Sequence, residues 1–74
     1  MEEGTAMKIR VSLPQGSTVI GFVDHALNQR DALLIARREV SGTMAPPPEY
    51  EASIVDVYAH APEDWPKGYW HSNP

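Results

Sequence analysis

The sequence predicts a single small α+β domain of the order β-β-α-β, with a three-stranded, mainly antiparallel sheet (order 2-1-3), one helix on one face and an irregular aromatic C-terminal tail. Three observations lead there: hydrophobic alternation over residues 7–13, a capped amphipathic segment over 29–41, and a β-branched run within 51–59. A chain of 74 residues has room for one such domain, and at that size folding buries only about 60% of the surface the unfolded chain exposes. The chain has no cysteine, so neither disulfides nor thiolate-bound zinc reinforce it. Its stability rests on one core.

Met7, Ile9, Val11 and Leu13 alternate with Lys8, Arg10 and Ser12, the pattern of a strand with one buried face. Pro14-Gln15-Gly16-Ser17 follows as a reversal, because proline presets the first turn position and glycine accepts positive φ. Residues 18–25 then form the partner strand. Ile20 and Phe22 fall on one of its faces and Val19 and Val23 on the other, so it is expected to be covered on both sides or packed at a subunit contact. Gly21 between them marks a bulge or a close backbone approach.

Asn28 is a suitable N-cap, Asp31 meets the free N–H groups of the first turn, and Gly42 ends the helix. Ala32, Leu33, Ala36 and Val40 lie within an arc of about 100°, the stripe that faces the sheet. Pro46, Pro47 and Pro48 stiffen the following loop. Ile54, Val55, Val57 and Tyr58 then supply the third strand. A right-handed helical crossover makes that strand antiparallel to the first.

The expected organisation is a flexible leader over 1–6, the domain over 7–60, and a proline-rich aromatic tail over 61–74. One helix leaves the opposite sheet face bare. Trp65, Tyr69 and Trp70 are half of the six aromatic residues, and tryptophan is seldom left in water. Trp65 and Trp70 are expected either to fold over the bare face or to anchor a partner there.

The net charge is −4, and it is unevenly spread. Residues 1–40 hold five basic and five acidic side chains, whereas 41–74 hold Lys67 against Glu49, Glu51, Asp56, Glu63 and Asp64. A general nucleic-acid binder needs a basic face, so direct nucleic-acid binding is not expected. The acids have two readings: a solvated face that keeps the protein soluble, or carboxylates presented to a basic groove on a larger protein. The start of the chain has no signal-peptide pattern and no stretch is long enough for an apolar span, which makes a cytoplasmic location the default expectation.

On the helix, Leu34 points roughly 150° from the centre of the apolar stripe and lies among Arg30, Arg37 and Arg38. No acid stands three or four positions from Arg30 or Arg37. The group reads either as a contact surface for an acidic partner or as a solvated helix face with one leucine touching the loop or tail. His60, Glu63, Asp64, His71 and the Asp24-His25 pair have no recognised metal spacing. There is no nucleophile turn, phosphate loop or dinucleotide fingerprint. No cofactor and no catalytic activity are expected.

In size, lack of cysteine, acidic balance and absence of a catalytic motif, the chain resembles the small phage-encoded inhibitors of host defence, the anti-CRISPR proteins among them. The segments KIRVSL, TVIGFVDHA, NQRDALLIARREV and EASIVDVYAH carry the compatible β-β-α-β order. The resemblance implies a non-enzymatic protein that blocks or bridges a larger, nucleic-acid-binding complex through protein contact. The alternative expectation is an accessory domain that forms a homodimer through its open sheet face.

Overall fold

A computed structural model describes residues 6–42, 50–66 and 68–72. The elements are β1 (Ala6–Ser12), β2 (Thr18–Val23), α1 (Gln29–Ser41), β3 (Glu51–Tyr58) and β4 (Trp70–Ser72). The class is α+β as expected. The sheet has four strands, in the order β3-β1-β2-β4, rather than the three expected in the order 2-1-3, and all neighbours are antiparallel. The fourth strand comes from the tail expected to be irregular. Ala6, placed in the leader by its sequence, is the fully buried first residue of β1. The rest of that leader, the proline loop and Glu49 lie outside the described residues.

The hairpin closes through the Gly16 N–H donating to the Leu13 carbonyl at 3.0 Å and the Leu13 N–H donating to that of Ser17 at 2.8 Å. In register, Met7, Ile9 and Val11 face Val23, Gly21 and Val19 across the β1–β2 ladder. Paired residues share a face, so these six line one side of the sheet. On that side Met7, Ile9, Val11 and Val23 form one core cluster with Ala32 and Ala36 of α1. Leu33, Ile35 and Val40 pack against it from the helix, and Ala52 and Ile54 from β3. Ile9, Val11 and Val23 are the largest fully buried side chains, each contributing roughly 1.5–3 kcal/mol relative to exposure.

The helix starts where its local chemistry starts it. The Asn28 carboxamide oxygen accepts the Asp31 N–H at 2.8 Å, and the Asp31 carboxylate accepts the Leu27 N–H at 3.0 Å, a reciprocal arrangement akin to a capping box. At the other end Gly42 adopts φ 74° and its N–H donates to the Arg38 carbonyl at 2.8 Å. A left-handed residue there suits glycine, which has no Cβ to clash. Among the described residues no helix is long and apolar enough to cross a membrane.

The tail returns through two tight turns. The Trp65 N–H donates to the Pro62 carbonyl at 3.1 Å, and the Tyr69 N–H donates to that of Pro66 at 3.0 Å. These reversals bring Gly21, Ile20 and Val19 of β2 opposite Trp70, His71 and Ser72.

Candidate partner-binding surface

The two tail tryptophans lie on opposite sides of the sheet, Trp70 through its pairing in β4 and Trp65 through its ring contact with Phe22. Trp70 pairs with Gly21 and joins the helix-side core. Its indole N–H donates to the Glu39 carboxylate at 3.0 Å, closing β4 onto α1. The other oxygen of Glu39 lies 3.9 Å from His25 Nε2, and His25 Nδ1 lies 3.4 Å from Asp24. Trp70 therefore does not cover the bare face. That expectation is corrected because a residue paired with Gly21 must share the face of Ile9 and Val23.

Trp65 does cover it. Its ring meets Phe22 at 5.0 Å and Tyr69 at 5.3 Å edge-on and lies tilted against His71 at 4.8 Å, while Phe22 in turn meets Tyr58 edge-on at 5.4 Å. Tyr69 and His71 stack at 5.7 Å with planes 21° apart. These edge-on and offset arrangements are the favourable ones for aromatic quadrupoles. The Trp65 indole N–H is satisfied by the Tyr69 carbonyl at 2.9 Å. Phe22 belongs to the face opposite α1, as do its ladder neighbour Lys8 and the buried Ile20. The two-sided apolar character of β2 is thus explained within one chain: helix on one side, aromatic tail on the other.

The cluster is only partly closed. Trp65 and Phe22 are half-buried, Tyr69 is 47% exposed and Tyr58 37%. Beside it on the same face run Lys8 opposite Asp56, Arg10 opposite Ser53, and Ser12 opposite Glu51. A ring cluster bordered by both signs of charge can bury a partner's apolar side chains and orient them through its polar rim.

The remaining expected contact residues are not gathered there. Arg30, Leu34, Arg37 and Arg38 stand on α1, across the sheet from Trp65 and Tyr69. Leu34 is half-buried, which fits the reading of a leucine in contact with its surroundings better than that of an exposed contact residue. The Arg37 guanidinium Nε donates to the Tyr50 carbonyl at 3.0 Å, so this side chain ties the helix to the start of β3. Glu51, Glu63 and Asp64 are exposed, the last two immediately before Trp65. Sequence reasoning did not single out Phe22, Tyr58 and His71 as contact residues. The register that brings them together was their missing signal. It also passed over Leu27, the most exposed large apolar residue at 88%, whose place just before the helix cap makes it look like part of a loop.

Among the described residues no group of three or more histidine, cysteine, aspartate or glutamate side chains is disposed to hold a metal ion. No family model matches this chain, and neither a curated protein nor a solved structure matches it.

Proposed function

We propose that this chain is a non-enzymatic binding protein that acts by protein contact through the sheet face opposite α1. The observation that carries the reading is the aromatic cluster of Phe22, Tyr58, Trp65, Tyr69 and His71, assembled on a face that the helix does not cover and left partly open. Tyrosine and tryptophan favour such contacts because they bring large, rigid area at low entropic cost. The exposed carboxylates of Glu63 and Asp64 beside Trp65 favour a partner with a basic surface. Blocking a nucleic-acid-binding defence complex is the specific form of this function that the acidic second half and the resemblance support. A homodimer is less needed on this face, since the tail supplies part of its cover.

Tyr69→Ser is the direct test, because Tyr69 is exposed and its ring can be removed with little effect on the core. The variant should keep the wild-type circular dichroism and lose capture of the partner that the wild type retains from a lysate of its source. Leu34→Glu, on the other side of the sheet, should retain it. Equal capture by both variants, or substrate turnover with no partner retained, overturns the proposal.

A further inference from the structure

The outer edge of β3 is a second surface, which borders the aromatic face at Asp56 and Tyr58. β3 has eight residues and pairs only with β1 among the described strands. Alternate N–H and C=O groups of a strand point to its two sides, so one row of β3 is directed away from the sheet. Val55 and Val57 on this strand are 41% and 47% exposed. A long edge with exposed valines is what natural sheets ordinarily blunt.

Two features blunt it here. The register shifts between Lys8 and Ile9, whose partners are Asp56 and Ile54, so Val55 is the extra residue of a β-bulge. The Val57 N–H donates to the carboxylate of Asp56, the residue before it, at 2.9 Å. A backbone donor on this edge is thus held by a negative side chain of the strand itself. A strand approaching the edge must draw that carboxylate away, and one bearing a cation opposite Asp56 does so by pairing with it. An acidic or neutral strand meets repulsion or loses the hydrogen bond without compensation. The charges of β3 are Glu51 and Asp56, with no base, so a second copy of the same strand is disfavoured. The opposite edge shows that this sheet accepts a short addition: β4 is three residues long and pairs antiparallel with β2.

We propose that the β3 edge takes up an extended, lysine- or arginine-bearing segment of a partner protein as a fifth strand, with Asp56 as the group that selects for positive charge. This is β-augmentation, in which main-chain hydrogen bonds give affinity and side chains give specificity. It engages the backbone edge of β3 rather than the rings, with Asp56 at the border of the two, and the Tyr69→Ser variant separates this proposal from the preceding one.

The probes are capped peptides of alternating valine and lysine, the same peptide with glutamate for lysine, and the same with proline for valine. With the 15N-labelled full chain, the valine–lysine peptide should shift the β3 amides and slow hydrogen exchange at Val55 and Val57. The glutamate and proline peptides should do neither. Asp56→Asn keeps an acceptor for the Val57 N–H but removes the charge, and should weaken binding of the lysine peptide about tenfold, whereas Tyr69→Ser should leave it unchanged. The proposal is overturned by shifts confined to the aromatic face, or by binding of the proline peptide as strong as that of the valine peptide. It is also overturned if the outward-facing amides of β3, those not bonded to β1, are already protected in the free chain, whether at low concentration by its own residues or with dimerisation by a second copy.

Discussion

Gly21 is the residue on which the position of the tail depends. A Cβ built there would lie 2.6 Å from the Trp70 ring and 2.8 Å from the Tyr69 carbonyl oxygen, closer than carbon atoms approach without displacement. One of those neighbours is backbone, so rotation of a side chain alone cannot relieve the clash. Gly21→Ala is therefore expected to push β4 off β2 and destabilise the fold by about 1–3 kcal/mol, the usual range for overpacking. Denaturant unfolding followed by tryptophan fluorescence measures both the loss and the changed surroundings of Trp70. If Gly21→Ala is as stable as the wild type with an unchanged spectrum, the close approach is not what keeps alanine out. Glycine between four apolar neighbours was legible as a sign of close approach. What approaches it was not, because Trp70 is far along the chain and its other anchor, Glu39, is 31 residues away.

At the scale of the elements, the helix and β1 could be read from local sequence and β4 could not. α1 has its own stop and start signals, each satisfied within a few residues: Asn28 and Asp31 at one end, Gly42 at the other. Asn28→Ala removes the acceptor for the Asp31 N–H and should cost about 1 kcal/mol, seen as a lower midpoint in thermal or urea unfolding. Asn28→Ser, which restores an acceptor, should recover most of it. β1 is equally legible because seven residues allow its period of two to show. β4 has three residues, Trp70, His71 and Ser72, too few for any period, and its flanking turns resemble an irregular tail. It is a strand because β2 offers an edge, which is a property of the sheet.

For the whole molecule, the shortage of core is met from both ends of the chain's second half. β3 extends the helix-side core through Ala52 and Ile54, and the tail adds Trp70 on that side and Trp65 on the other. Removing residues 65–74 should expose Phe22 and Ile20 on one face and Gly21 with its neighbours on the other, lowering stability by about 3 kcal/mol or more. The expected signs are increased binding of a hydrophobic dye and a broadened thermal transition. A truncated chain as stable as the full one would mean that the tail serves contact alone. The α+β class, the helix with both caps, the first hairpin and the acidic bias of the second half were legible from the chain alone, since each depends on neighbours in the chain or on composition. That the tail ends in a strand, which face each tryptophan covers and which rings meet all came from the folded arrangement, because the face of Trp70 is set by register with a distant strand, where a shift of one residue would reverse it, and that of Trp65 by its contact with Phe22.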